Sequence, residues 1–344
     1  MRSIIYRRGS IRALVPGSWQ SALRWIAVAL VAAASTFTLP AVAQPYPSKP
    51  IKIIVPFAPG GPNDVLGRIV GQKLNELWGH PVVIENRGGA GGTIGVDAGA
   101  KSPADGYTLV VGGSSNLAVA PGLYSKLPYD PLRDLMPVTN VAIVPYVLAV
   151  NPHVPAQNVK ELVLIAKSKR QLLSYGSSGV GSMSHLAAEL FKAATGADIV
   201  HVPYKGTAPS LTDVIAGQID MMFADLAAVA PHEQAGKLRL LAAAGSKRSA
   251  AVPQLPTMAQ AGVKGYAVDT WFGVVAPAGV PKDIIAKLNT AIVNGLRAPD
   301  VKQRFDQLGY EAIGDTPEQF AATIKNDIDK FRRVIKSAGI KAEL

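Results

Sequence analysis

The 344-residue chain carries 35 Lys and Arg against 24 Asp and Glu, a formal excess of +11, and no cysteine. The missing thiols exclude disulfides, thiolate zinc sites and cysteine nucleophiles, so core packing must hold the fold together. Much of the positive excess sits at the N-terminus: residues 1–43 hold Arg2, Arg7, Arg8, Arg12 and Arg24 and no acid, and without them the balance falls to +6. The remaining basic residues are scattered in pairs such as Lys247-Arg248 and Arg332-Arg333, a pattern of solvated helix faces rather than nucleic-acid grooves, although a modest positive field assists anion capture.

The first 43 residues read as a secretory signal peptide. Basic residues precede an apolar run, Trp25 to Ala34, and Ala41-Val42-Ala43 has the small-x-small form of a cleavage site, which places the cut before Gln44. The run is shorter than the roughly 20 residues of a spanning helix, so export is favoured over anchoring. Arg7-Arg8 lies too far from the run for a good twin-arginine signal. What remains, residues 44–344, is long enough for two domains with separate cores.

Ile51 to Asp64, IKIIVPFAPGGPND, is the stretch around which the chain is organised. Ile51, Ile53, Ile54 and Val55 form a β-branched run suited to a strand buried on both faces. Pro59, Gly60, Gly61 and Pro62 break it, Asn63 and Asp64 suit a helix N-terminus, and Val65, Leu66, Ile69, Val70 and Leu74 carry helical spacing to Trp78. The loop therefore lies at the carboxyl end of a strand, where open α/β sheets place ligands.

The same unit recurs along the chain. Pro81 to Glu85 is a strand that ends in a glycine cluster, Gly88 to Gly95, and leads into a small-residue helix through Ala100. Tyr107 to Val111 is a strand that ends in Gly112-Gly113-Ser114-Ser115-Asn116. Intervening helices make these strands parallel and bring their loops to one sheet edge. Val144 to Val150, Leu172 to Tyr175, Ile199 to Pro203, Ile219 to Phe223 and Leu238 to Ala244 are strands of a second set, with helices at Val159 to Lys169, Met183 to Ala194 and Ala208 to Gly217. Within it Gly176 to Ser182 repeats the opening loop. Trp271 to Ala276 gives a further strand, and Pro281 to Leu296, Asp300 to Leu308 and Pro317 to Ser337 a helical C-terminus. Two α/β lobes joined by crossings near Val144 and Asp269 make a clamshell: lobe 1 from residues 44–143 with 270–344, lobe 2 from 144–269.

Several constellations invite chemical readings. Gly89 to Gly95 has the wrong spacing for the GxGxxG dinucleotide fingerprint, and fits close helix packing, with Thr93 near the cleft. Ser182 and His185 lie three apart at a helix start, but no GxSxG elbow or acid partner accompanies them, so Ser182 reads as an N-cap or ligand hydroxyl. His185 reads equally as a ligand donor or a packing histidine. The five histidines form no metal-binding pattern, and neither a metal nor a cofactor is expected. Asp64 is expected to order its loop. Asp225 is open among an ammonium contact, a hydroxyl contact and a loop brace; Lys205 is a cation at a loop whose solvated reading is favoured over ligand contact. Trp271 is expected to pack at the hinge.

Seven stretches in order, Tyr46-Pro47 with Lys49-Pro50, Ile54 to Gly61, Glu85-Asn86-Arg87 with Gly89 to Gly95, Pro103 to Leu109, Tyr175 to His185, His201 to Gly206, and Trp271 to Pro281, make the chain resemble the periplasmic solute-binding proteins of tripartite tricarboxylate transporters, the Bug proteins. The resemblance implies a two-lobed type II periplasmic-binding-protein fold, each lobe a mixed, mostly parallel sheet flanked by helices. It implies a periplasmic location, no catalysis, a small carboxylate ligand, and delivery to membrane transporter subunits by a monomer. A sensor that presents ligand to a receptor kinase, and a secreted α/β hydrolase, are the alternatives. Carried over, the first jaw is Phe57, Ala58, Pro59, Gly60, Gly61, Asn63 and Asp64, with Thr93, Ser114 and Ser115 nearby. The opposing jaw is Ser177, Ser178, Gly181, Ser182 and His185, with Tyr204, Lys205 and Asp225 beside it. Neutral backbone donors at helix starts suit an anion that must later be released.

Overall fold

The computed structural model describes residues 46–168, 172–338 and 340. The signal peptide and its cleavage before Gln44 lie outside the described residues. Strand β1 (Ile51–Val55) is buried except at the half-buried Lys52, as its apolar run requires. Helix α1 (Pro62–Trp78) starts at Gly61 with proline in its first position and stops at Gly79, whose left-handed φ of 67° lets its N–H bond Asn75 O at 2.8 Å. Leu66, Val70 and Leu74 bury its inner face. Gly67 and Gly71 bring it down onto the sheet: a Cβ on Gly67 would lie 2.9 Å from Val55 Cγ2.

Strands β2 (Val82–Asn86) and β3 (Thr108–Gly113) flank β1 in parallel, with helix α2 (Thr93–Ala100) between them in sequence. A π-helical turn, Ser115–Val119, runs on into the short α3 (Ala120–Leu123) where the sequence suggested a plain polar loop. Strand β4 (Leu135–Ile143) was not legible, because Pro137 and Asn140 break its apolar pattern; they sit opposite register shifts in the neighbouring strand. Two residues later β5 (Tyr146–Val150) begins in a different sheet.

The second set comprises α4 (Val159–Lys167), β6 (Leu173–Ser177), α5 (Met183–Thr195), β7 (Ile199–Pro203), α6 (Thr207–Ile215), β8 (Met221–Asp225), α7 (Leu226–Gln234) and β9 (Arg239–Ala243). Helix α7 also escaped the sequence reading, since it is alanine-rich and contains Pro231. The chain then returns through β10 (Trp271–Pro277), α8 (Lys282–Leu296), α9 (Pro299–Leu308), β11 (Glu311–Ala312) and α10 (Pro317–Ala338).

The two sheets share one plan. The first has the order β11-β4-β10-β3-β1-β2 and the second β7-β6-β8-β5-β9. In each, three strands run parallel (β3-β1-β2; β7-β6-β8), and the next strand, β10 or β5, joins antiparallel. The parallel strands therefore end at one edge, with their loops. At the crossings between sheets, Val144 N–H donates to Thr270 O at 2.9 Å and the Thr270 hydroxyl donates back to Val144 O, which ties the two connections to each other. Trp271, at the start of β10, donates its Nε1–H to Asp327 Oδ2 at 2.6 Å and meets Phe320 of α10 edge-on at 5.3 Å. Phe320, Ile324, Ile328, Phe331 and Ile335 form the buried stripe of α10.

Candidate functional site

The loop between β1 and α1 is braced by Asp64. Its Oδ2 accepts Gly60 N–H at 3.1 Å and Arg68 Nε–H at 3.0 Å; Oδ1 accepts Arg68 Nη2 at 2.9 Å and Asn86 Nδ2 at 3.0 Å. Burial works to raise the carboxyl pKa, but the hydrogen bonds from Arg68, Asn86 and Gly60 outweigh it and hold the group below the usual carboxylate range. Asn63 Nδ2 reaches Val111 O at 2.7 Å and pins the helix start to β3. Thr93 is turned to its own loop, its hydroxyl on Ala90 O at 2.9 Å.

The opposing loop, between β6 and α5, is a serine-histidine network. Ser178 N–H donates to Ser184 Oγ at 2.9 Å, Ser182 caps α5 by accepting His185 N–H at 3.3 Å, and Gly181 N–H donates to His185 Nδ1 at 3.2 Å. The His185 ring thus presents an unprotonated Nδ1 to the backbone and makes no bond to the Ser182 hydroxyl. It stacks at 4.3 Å on His201, which stacks at 4.7 Å on Tyr175. The close serine-histidine pair is another one, Ser177 Oγ to His201 Nε2 at 2.6 Å, and Ser177 is fully buried beneath the loop. Burial lowers the pKa of His185, and burial with the neighbouring His185 brings His201 down to about 4, so both rings are neutral supports. No third group of a nucleophile-base-acid relay meets either pair among the described residues. No cluster of three or more potential metal ligands occurs among them either.

The lobes meet across these loops. Ala58 N–H donates to Lys205 O at 3.3 Å, and the Tyr124 hydroxyl donates to Val180 O at 2.8 Å. Gly91 passes so close that a Cβ there would lie 2.4 Å from Val180 O, in a left-handed conformation with φ of 62°. Between the loops lies a narrow cleft that is partly open to solvent and has an enclosed volume of about 20 Å³, lined by Phe57, Gly61, Pro62, Asn63, Ser114, Ser115 and Phe272 from the first lobe and Tyr146, Ser178, Met183 and Thr207 from the second. Pro62 and Asn63, Ser115, Met183, and Thr207 each stand in the first turn of a different helix, α1, the π-turn, α5 and α6. First-turn N–H groups lack intrahelical acceptors and carry the positive end of the helix dipole, so four such starts favour an anion.

Of the residues singled out in the sequence, Phe57, Gly61, Asn63, Ser114, Ser115 and Ser178 line this cavity. Ala58, Gly60 and the Lys205 backbone lie at the contact between lobes, with Pro59 exposed in the same loop. Gly181 packs against the Tyr124 hydroxyl, and Ser177, Ser182 and His185 lie within the supporting network. Tyr204 donates its hydroxyl to Asp213 Oδ2 at 2.5 Å. Asp225 caps α7 by accepting Ala228 N–H at 3.0 Å and is 2% exposed. The sequence reading did not single out Tyr146, Thr207 or Phe272. Thr207 had a signal, since Gly206-Thr207 repeats the glycine-then-helix-start design; Tyr146 and Phe272 had none beyond membership of buried strands.

A larger crevice, with a volume of about 1140 Å³, lies on the hinge side between the 245–251 segment and the end of α9. It gathers no helix starts, and its rim carries the exposed Lys247, Arg297, Lys302 and Asp306. The smaller cavity has the directed donors, and they outweigh size.

Comparison with known proteins agrees with this geometry. A family model described as the tripartite tricarboxylate transporter family receptor, TctC, matches residues 66–340. The chain is similar to Protein BugT of Bordetella pertussis, 38% identical over 315 residues that cover 91% of this chain and 97% of BugT. Its fold is similar to that of Rpa4515 from R. palustris, solved with adipate (38% identity, TM-score 0.82, 86% of this chain and 99% of the other). It is also similar to that of MatC from Rhodopseudomonas palustris with bound malate (32% identity, TM-score 0.81, 84% and 100%). A match over most of the chain, together with a two-lobed α/β fold, makes this chain a member of the tripartite tricarboxylate transporter receptor family, the Bug or TctC-like periplasmic binding proteins.

Proposed function

We propose that the protein captures a small carboxylate between its lobes in the periplasm and delivers it to the membrane subunits of a tripartite tricarboxylate-type transporter. The observation that carries this reading is the convergence of four helix starts from both lobes on one cavity that no charged side chain lines among the described residues. Such neutral donors bind an anion without the buried ion pair whose rupture would slow release. Relatives with bound adipate and malate support the ligand class. The lobes of this reading are residues 44–143 with 270–344 and residues 144–269, rotating about Val144-Pro145 and Thr270, and the exported protein begins at Gln44 as a monomer.

The test is thermal unfolding of residues 44–344 with a panel of mono-, di- and tricarboxylates. A ligand present at 100 times its Kd stabilises the folded state by about 2.7 kcal/mol, a readily measured shift. Unchanged melting with every carboxylate would overturn the reading. Uptake of the bound acid should be lost on deleting the membrane subunits; retained uptake would overturn the delivery step.

A further inference from the structure

We infer that a hydrogen bond from Tyr310 of the first lobe to Asp225 of the second holds the protein open, and that the closed arrangement lacks it, so that two residues behind the hinge set how tightly a ligand is held. The inference rests on the reading of the lobes as a clamshell that closes on its ligand. The crossings at Val144-Pro145 and Thr270 separate two spaces, the cleft on one side and the large crevice on the other, and Tyr146 lines both. A rotation about the crossings that widens one space narrows the other. In this structure the lobes touch across the cleft, Ala58 N–H on Lys205 O and the Tyr124 hydroxyl on Val180 O, while the crevice stands open. The arrangement is the closed one.

Behind the hinge the lobes meet at a contact that is sterically tight and chemically incomplete. A Cβ on Gly309 of the first lobe would lie 2.7 Å from Ala251 Cβ and 3.5 Å from Leu226 Cδ2 of the second. Beside this contact stand Tyr310, which lines the crevice and is 6% exposed, and Asp225, which is 2% exposed. Asp225 Oδ1 caps α7, but Oδ2 and the Tyr310 hydroxyl both lack a hydrogen-bond partner among the described residues, although the two groups lie near enough to interact. Burial holds the Tyr310 pKa well above 10, so the phenol is the donor and the carboxylate the acceptor. Two buried unsatisfied groups on opposite lobes destabilise the closed form, and one bond between them would satisfy both. Opening the cleft narrows the crevice and drives Tyr310 toward Asp225, which is held in place by β8 and its antiparallel pairing with Tyr146. The open form therefore gains a charge-assisted hydrogen bond, and closure gives it up. The apparent affinity of a ligand that needs the closed form is lowered in proportion to the closed fraction of the free protein.

The experiment compares wild type, Tyr310→Phe, Asp225→Ser and the double variant of residues 44–344 at pH 7.5. Phenylalanine removes only the hydroxyl, and serine keeps a capping oxygen for α7 while removing Oδ2. Because the chain has no cysteine, spin labels can be placed solely at Lys126→Cys on the first lobe and Thr212→Cys on the second, both exposed sites outside the cleft lining. Electron-spin distance measurements should show the free wild type longer than the closed structure requires, and both single variants shifted to the closed distance. Calorimetry with adipate and malate should show binding about tenfold tighter in each single variant, and the double variant should add nothing to either. Unshifted distances in the variants, a free wild type already at the closed distance, or additive effects in the double variant would each overturn the inference while leaving the carboxylate grip standing. Absence of binding by every carboxylate of the panel overturns the grip, and the label distances in the free protein still decide whether the Tyr310–Asp225 bond exists. If one single variant does not fold, the other carries the same test.

Discussion

Asp225 is a buried carboxylate that the fold satisfies only by half, which makes its replacement by asparagine a sharp test of the energetics. Oδ1 caps α7, but Oδ2 has no hydrogen-bond partner among the described residues, and neither has the Tyr310 hydroxyl, which approaches it without completing a bond. Burial pushes the Asp225 carboxyl up from 3.8 to about 6, against the opposing pull of the Ala228 N–H. The sign follows from proton binding. Between pH 3.8 and 6 the folded state holds a proton that the unfolded state has released, so stability falls as pH rises through that window and stays lower above it. A shift of about two pKa units corresponds to about 3 kcal/mol at neutral pH. Asparagine keeps a capping oxygen for Ala228 and brings no charge. Asp225→Asn should therefore stabilise the protein by about 2–3 kcal/mol at pH 7.5, and the gain should vanish near pH 4. Urea unfolding at pH 4, 5.5 and 7.5 reads both limbs. A variant that is no more stable than wild type at pH 7.5, or whose advantage persists unchanged at pH 4, would refute the reasoning.

The histidine stack gives the opposite pH dependence. His201 falls to about 4 through burial first and His185 second, so the unfolded chain, with histidines near 6.5, binds more protons. Stability should drop by up to about 3 kcal/mol as pH falls from 6.5 to 4, and His201→Gln should flatten that acid limb in the same unfolding series. Gly91→Ala would put a methyl 2.4 Å from Val180 O at a left-handed φ. It should weaken ligand binding at least tenfold and cost about 1–2 kcal/mol of stability, and calorimetry showing wild-type affinity would show that the lobes do not need this approach. Phe320→Ala removes a fully buried ring packed on Trp271 and over Gly273, and should cost about 3–5 kcal/mol by urea unfolding without altering the denaturant slope.

Elements whose signals are local are legible in the amino-acid order alone. An apolar run such as Ile51 to Val55, a glycine-proline break, and polar residues before a helical stripe are read over a dozen positions, and the rule that parallel strands bring their loops to one edge then places the loops together. That is why Gly61, Asn63, Ser114, Ser115 and Ser178 could be named before the fold was seen. Elements without clean periodicity escaped, β4 because of Pro137 and Asn140 and α7 because of its alanines and Pro231. What each side chain faces depends on long-range packing. Tyr146, Thr207 and Phe272 reach one cavity from strands and helices far apart in the chain. His185 is paired with His201 rather than with the neighbouring Ser182, and Asp64 is spent on Arg68 and Asn86. Asp64 and Asp213 find partners within their own lobe, and the cavity is lined by neutral side chains. No local pattern encodes the cavity itself, since its lining joins residues as far apart in the chain as Phe57 and Phe272.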